Sequence, residues 1–123
     1  MTKVRKKLQF LKLTEKQIER AILEYLVVVK KIKCWKQNNG NFSVGNRYIK
    51  TCIDHMGNSV SGIPDICGYL PNGKALYIEV KRPKGKPTEL QKHFLDNARE
   101  SNCSVLVAHS VEEVIQFLKE EGF

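Results

Sequence analysis

The sequence predicts a single α/β domain in which helices flank a mixed central β-sheet. Three helical segments each begin at a capping signal, and two β-rich runs separated by a turn predict an antiparallel hairpin. The chain has 123 residues, of which 41% are hydrophobic and 28% charged, which is the composition of an ordinary globular domain. We therefore expect residues 1–123 to form one domain without internal repeats.

A capping box opens the first helix. In Thr14-Glu15-Lys16-Gln17, Thr14 is the N-cap and Gln17 reaches back to it. Apolar side chains then recur at helical spacing, at Ile18, Ala21, Ile22, Tyr25, Leu26 and Val29. This pattern predicts a helix from about residue 14 to residue 30, with an apolar stripe that packs against the rest of the domain.

The segment that follows the first helix carries strand and loop signals. We predict a strand at 33–37, a hairpin formed by 41–44 and 47–51 around Gly45-Asn46, and a loop at 54–62.

A second hairpin has the clearest β signal in the chain. Residues 64–70 and 74–81 are β-rich runs separated by Pro71-Asn72-Gly73. Pro71 suits the first central position of a type I turn, and Gly73 suits the left-handed residue that closes a three-residue loop. We therefore expect a three-residue loop rather than a two-residue one.

The length of this loop decides which acidic side chains share a face of the sheet. Side chains alternate along a strand, so Glu79 and Lys81 point to the same side. A three-residue loop places Asp65 opposite Glu79, on that same side. A two-residue loop would place Asp65 opposite Val80 and separate the two acids.

A second capping box, formed by Thr88 and Gln91, opens the next helix. We expect this helix to end near Asn102 and to turn four apolar side chains inward, those of Leu90, Phe94, Leu95 and Ala98.

The last two elements are a strand and a helix. Residues 103–108 form a short apolar run, typical of a central strand that is buried on both faces. Ser110 and Glu113 supply a third capping box, which opens a final helix that ends before Gly122.

The charge of the chain indicates a polyanionic partner. The net charge is +8, and residues 1–60 hold 13 basic but only 4 acidic side chains. Such an imbalance predicts one basic face and favours nucleic acid as its ligand.

The cysteines and the N-terminal segment indicate a reduced, non-membrane setting. The four cysteines, Cys34, Cys52, Cys67 and Cys103, lack the paired spacing of a zinc site. Cys34, Cys67 and Cys103 lie in apolar or strand-like runs, which fits reduced core thiols. No signal peptide or membrane span is evident, because the longest apolar run, 21–29, is interrupted by Glu24. We therefore expect a cytoplasmic protein.

Two opposed carboxylates repel each other, and a divalent cation between them removes that cost. Oxygen ligands suit Mg²⁺, with Mn²⁺ as a substitute, and such an ion can activate water next to a phosphate. Asp65 and Glu79 would be its ligands, and the strand carbonyl of Val80 could add a third. Lys81, beside the ion, would orient the nucleophile or offset charge in the transition state.

These residues also resemble a known family. Gly62-Ile63-Pro64-Asp65, then thirteen intervening residues, then Glu79-Val80-Lys81, resembles the PD-(D/E)xK nuclease signature. The run Tyr-Ile-Glu-Val-Lys-Arg-Pro at 77–83 and the pattern Lys-Pro-Thr-x-x-Gln at 86–91 are similar to the virus-type replication-repair nuclease (VRR-NUC) domain of that superfamily. The resemblance spans a core of about residues 14–118.

The resemblance implies a restriction-endonuclease-like core and metal-dependent hydrolysis of DNA. Asp65 and Glu79 would be metal ligands, and Lys81 the catalytic base or stabiliser. The family also carries an acid on the first helix, for which Glu19 is our choice over Glu15 because Glu19 flanks the apolar stripe. Gln91 matches the family's helical glutamine, although its place in the capping box explains it equally well.

The basic residues that follow Lys81 are expected to bind DNA phosphates, namely Arg82, Lys84 and Lys86. Stand-alone members of the family resemble homodimeric enzymes that resolve four-way (Holliday) junctions, so the resemblance implies that activity here, with a phage-encoded origin in a bacterial host. The alternatives are a nuclease of the same fold acting on flap, nicked or duplex DNA, and a basic DNA-binding module without catalysis.

Overall fold

The computed structural model describes residues 12–37, 42–49 and 52–123 and confirms an α/β fold with a mixed sheet. Four strands lie in the order β1-β4-β5-β6. The elements are α1 (Glu15–Glu24, extended by a π-helical turn over Tyr25–Val29), β1 (Lys33–Lys36), β2 (Phe42–Val44), β3 (Arg47–Ile49), β4 (Ile66–Tyr69), β5 (Ala75–Val80), α2 (Glu89–Glu100), β6 (Ser104–Ala108) and α3 (Val111–Glu120). The β1–β4 and β4–β5 pairs are antiparallel, whereas β5 and β6 run parallel.

The first helix begins and ends where the sequence predicts. The Thr14 hydroxyl accepts a hydrogen bond from the Gln17 amide, and the Gln17 side chain accepts one from the Thr14 amide. The helical path continues through Val29, and Ile18, Ile22 and Leu26 are buried along one side. None of the helices in the described part of the chain is long and apolar enough to cross a membrane.

The β4–β5 hairpin has the register expected from a three-residue loop. Ile66 pairs with Ile78, and Cys67 pairs with Tyr77. At the turn, the Leu70 amide donates to the Lys74 carbonyl over 2.9 Å, and Gly73 adopts a φ of 87°. Continued by one residue, this register places Asp65 opposite Glu79.

The two faces of β5 meet different surroundings. Leu76, Ile78 and Val80 point into the hydrophobic core, where they join buried side chains of α1 and α3. Tyr77 points to the opposite face, where its ring meets the ring of Phe94 on α2 edge-on with centroids 5.1 Å apart. Glu79 and Lys81 lie on this second face, next to α2.

The small β2–β3 hairpin forms a separate two-stranded sheet around Gly45-Asn46, as expected. The predicted strand residues Asn41, Lys50 and Thr51 lie outside the described residues. Residues 54–62 form a loop, which an isolated bridge between Ile53 and Ser59 holds at its start.

The prediction that β6 is central is wrong, because β6 lies at an edge of the four-stranded sheet. Its apolar sequence has another cause. Helices α2 and α3 both contact β6, so helices rather than neighbouring strands bury its residues. Ser104 and Ala108 are the most buried residues in it.

Two details of the later helices also differ from expectation. Leu90 is 61% exposed instead of inward, because α2 turns Gln91, Leu95 and Ala98 toward the sheet, about one residue's rotation away. The third capping box is incomplete. The Ser110 hydroxyl accepts from the Glu113 amide as expected, but the Glu113 carboxylate accepts from the His109 amide.

Gly68 sets how closely β1 approaches β4. A Cβ atom added at Gly68 would lie 2.3 Å from the Lys33 carbonyl oxygen and 2.5 Å from the Cβ of Cys34. We expect Gly68→Ala to destabilise the fold by about 2 kcal/mol or more, because the two backbones must separate. Urea unfolding would measure this, with Tyr69→Ala on the same strand as a control that costs no more than about 1 kcal/mol. Equal losses in both variants would contradict the close-approach argument.

Candidate active site

Asp65 is held at the end of the sheet by two strands. Its carboxylate oxygen Oδ2 accepts a hydrogen bond from the Val80 amide over 2.9 Å, and its carbonyl accepts one from the Gln37 amide over 2.7 Å. The Asp65 side chain thus accepts the hydrogen bond that the Val80 amide would otherwise donate to a backbone carbonyl of the neighbouring strand. This fixes the carboxylate beside Glu79 on β5.

Glu79 is a buried carboxyl group, only 2% exposed. Its Oε1 accepts a hydrogen bond from Gln91 Nε2 over 3.1 Å and lies 3.7 Å from Lys81 Nζ, whose side chain is 15% exposed. Its Oε2 is buried and has no hydrogen-bond partner among the described residues. Burial is the main cause that raises the pKa of Glu79 to about 8; the neighbouring Asp65 carboxyl group adds to the shift, and Lys81 opposes it.

Gln91 serves the helix and Glu79 at the same time. Its Oε1 accepts from the Thr88 amide over 2.9 Å, which completes the capping box of α2. Its Nε2 is then free to donate to Glu79. Both interpretations of Gln91 made from the sequence are therefore compatible, because each uses a different end of the side-chain amide.

Glu19 is the acid of α1 that lies near this end of the sheet. It is 9% exposed, and its Oε1 lies 3.6 Å from Lys36 Nζ on β1. Burial raises its pKa above the usual value, Lys36 opposes the shift, and the charge of Asp65 adds to it. Glu15, the other acid considered, is exposed in the first turn of the helix.

The three carboxylates do not form a ready-made metal centre. No group of three or more His, Cys, Asp or Glu side chains in residues 12–37, 42–49 and 52–123 is placed to hold one ion. Asp65 and Glu79 are adjacent, whereas Glu19 is paired with Lys36. The three acids expected as ligands therefore lie near one end of the sheet. Glu19 pairs with Lys36 and does not join Asp65 and Glu79 in a single ligand group.

The donor atoms at this end of the sheet nevertheless fit a hard divalent cation. Buried oxygens of Glu79 and Glu19 lack hydrogen bonds within the described residues. The Val80 carbonyl faces the same side of β5 as the Val80 amide, toward Asp65. Oxygen donors of this kind suit Mg²⁺ or Mn²⁺.

The profile of the VRR-NUC domain matches residues 13–112, most of the chain. The chain belongs to the VRR-NUC family. No curated protein and no solved structure matches it. Family membership makes this a nuclease-type domain whose substrate is DNA, and it covers every residue assigned above to the candidate site.

A basic loop follows β5, the strand that carries Glu79. The side chains of Arg82, Lys84 and Lys86 are exposed on it. The Gly85 amide donates to the Arg82 carbonyl over 2.7 Å and closes a turn in which Lys84 has a φ of 68°. This turn follows Lys81 directly in the chain and exposes the three cations to solvent.

His109 ties this loop to α3. Its Nε2 lies 2.9 Å from the Gly85 carbonyl oxygen, and its Nδ1 lies 3.1 Å from Glu113 Oε2. The bond to the Gly85 carbonyl is the main cause that raises the pKa of His109, and Glu113 adds to it against burial. No local sequence pattern predicts this contact, because Gly85 and His109 are far apart in the chain. The contacts of Lys36 and Gln37 were missed for the same reason.

The raised pKa of Glu79 predicts a pH-dependent stability for the metal-free VRR-NUC domain. Between pH 4.5 and 8 the folded protein holds a proton that the unfolded chain releases, so the free energy of unfolding falls as pH rises. We expect a slope of up to roughly 1 kcal/mol per pH unit from this group.

The measurement is urea unfolding in EDTA at several pH values between 5 and 8. Glu79→Gln should flatten the slope, because it removes the titrating group, whereas Glu89→Gln on the exposed start of α2 should leave it unchanged. A wild-type slope identical to that of Glu79→Gln would contradict the raised pKa.

Proposed function

We propose that this VRR-NUC domain is a divalent-metal-dependent endonuclease that hydrolyses phosphodiester bonds in DNA. The observation that supports this most directly is the pair of carboxyl groups, Asp65 and Glu79, placed side by side next to Lys81. A protein that only binds DNA has no need for two adjacent acids, because they repel both each other and the phosphates.

Asp65, Glu79 and the Val80 carbonyl would hold the ion, with Mg²⁺ as the natural metal and Mn²⁺ as a substitute. When bound, the ion supplies Lewis-acid activation of water and neutralises charge on the phosphate. Glu19 would join as a ligand if Lys36 releases it. The burial that raises the pKa of Glu79 in the metal-free protein is compensated once a cation takes the place of the proton.

Lys81 and Gln91 would orient the reacting groups. Lys81 Nζ is mostly buried and lies beside the Glu79 carboxylate, so it is positioned to orient the nucleophile or to stabilise negative charge that develops on the phosphate. Gln91 holds one oxygen of Glu79 by a hydrogen bond and so fixes the rotamer of that ligand. Arg82, Lys84 and Lys86 would bind phosphates on either side of the one that is cut.

Within this activity we favour four-way junctions as the substrate and a homodimer as the active form. Paired cuts in a symmetric junction require two active sites, and a two-fold dimer supplies them. The basic charge of the chain supports contact with the several DNA arms that meet at a junction. The alternatives are cleavage of flap, nicked or duplex DNA, and DNA binding without cleavage.

The test is cleavage of a labelled four-way junction and of a matched linear duplex, in Mg²⁺ or EDTA. Wild type should cut the junction only with metal. Glu79→Gln and Lys81→Met should each lower the rate about 100-fold or more, because the first removes a proposed metal ligand and the second removes the cation proposed to orient the nucleophile or stabilise charge on the phosphate. Glu100→Gln, at the exposed end of α2, is the matched control. No cleavage of either DNA by folded wild type would contradict the enzyme proposal, and equal cleavage of both would contradict junction selectivity.

The first-helix acid is tested by a matched pair of substitutions. We expect Glu19→Gln to lower the cleavage rate about tenfold or more and to raise the Mg²⁺ concentration needed for half-maximal rate, because outer ligands tune metal affinity. Glu15→Gln, one helical turn away and exposed, should change neither quantity. The reverse pattern would assign the role to Glu15.

A further inference from the structure

The sheet face that carries the two carboxylates continues into an exposed aromatic surface. Trp35 on β1 pairs with Cys67 on β4, and Cys67 pairs with Tyr77 on β5, so these side chains point to the same face as Glu79. Burial is the main cause that raises the pKa of the Cys67 thiol to about 11, and Cys52, Asp65 and Glu79 add to the shift, which agrees with its place beside the two acids. The catalytic face therefore extends across β4 to β1.

Two aromatic rings on this extension are half open to solvent. Trp35 is 50% exposed and Tyr69 is 52% exposed. Tyr69 pairs with Lys33, so it lies diagonally across from Trp35, within reach of an aromatic side chain. We call Lys33, Trp35 and Tyr69 the aromatic platform.

The indole of Trp35 is oriented by the strand that holds Asp65. Trp35 Nε1 donates to Gln37 Oε1 over 3.1 Å, and the Gln37 amide donates to the Asp65 carbonyl over 2.7 Å. Gln37 Nε2 also donates to Cys52 Sγ over 3.0 Å, so this side chain is fixed at both ends. Because Trp35 precedes Gln37 by two residues, it lies about 7 Å along the sheet from the level of Asp65, roughly the rise of two stacked nucleotides.

From this placement we infer that the aromatic platform binds unstacked nucleobases of the DNA strand next to the phosphate that is cut. An exposed indole ring can stack on any base that is not already stacked in a duplex. Lys33, exposed on the platform, attracts the phosphates of the same strand. This inference rests on the proposed function and adds to it a reason for preferring branched or single-stranded regions, where such bases occur.

The chain has a single tryptophan, so its fluorescence reports on Trp35 alone. In EDTA, where metal-dependent cleavage is absent, we expect a single-stranded oligonucleotide to quench this emission in a saturable way. A blunt duplex of the same length should quench it much less. Unchanged emission at saturating single strand would overturn the inference.

A pair of substitutions separates stacking from packing. Trp35→Phe keeps an aromatic face and should bind the single strand within about twofold of wild type, whereas Trp35→Leu should bind about fivefold more weakly or worse. If both variants lose the same affinity for the single strand, stacking on Trp35 is overturned. The same holds if both variants keep the affinity of wild type. If Trp35→Leu instead converts a dimer to a monomer and DNA leaves wild-type emission unchanged, the platform is an interface between copies and the inference fails.

The fluorescence and cleavage experiments together distinguish failure of base binding by the platform from failure of the nuclease proposal. Cleavage by wild type in Mg²⁺ without quenching of its tryptophan emission would support the nuclease proposal and contradict base binding by the aromatic platform. Quenching of wild-type emission and weaker binding by Trp35→Leu, in a protein that cuts neither DNA, would support base binding and contradict the nuclease proposal. Quenching of wild-type emission tests base binding by the platform even if Trp35→Leu fails to fold.

Discussion

Asp65 and Glu79 share one face of the sheet because three residues, rather than two, join β4 to β5. A slip of one residue would turn Asp65 to the other face and leave Glu79 without its neighbour. Gly73 fixes this register through its positive φ. The Val80 amide then donates its hydrogen bond to the Asp65 carboxylate instead of to a backbone carbonyl of the neighbouring strand. The proposed metal ligands Asp65 and Glu79 are neighbours because of that pairing.

Placing Glu79 there is costly for the fold. A carboxyl group that is 2% exposed resists ionisation, and its pKa of about 8 expresses that resistance. Lys81 and Gln91 satisfy one of its oxygens and leave the other without a hydrogen bond in the described residues. An apolar side chain would be more stable at this buried position, so stability of the fold does not explain the acid, whereas the proposed role as a metal ligand does.

The features that the sequence predicts well are those set by short stretches of chain. The capping boxes at Thr14 and Thr88 and the Gly73 turn each depend on residues a few positions apart, so their patterns can be read directly. The edge position of β6 and the rotation of α2 that exposes Leu90 depend on how distant elements pack. For the site, the motif predicts Asp65, Glu79 and Lys81, but no local pattern predicts that Glu19 pairs with Lys36.

That last pair shows that the metal-free site compensates its buried acids in two ways. Lys36 lies 3.6 Å from Glu19, whereas burial raises the pKa of Glu79 to about 8, with Asp65 adding to the shift and Lys81 opposing it. A divalent cation held by Asp65 and Glu79 would take the place of the Glu79 proton and supply the positive charge that burial makes necessary. Binding of such an ion would therefore release a proton and would strengthen as pH rises.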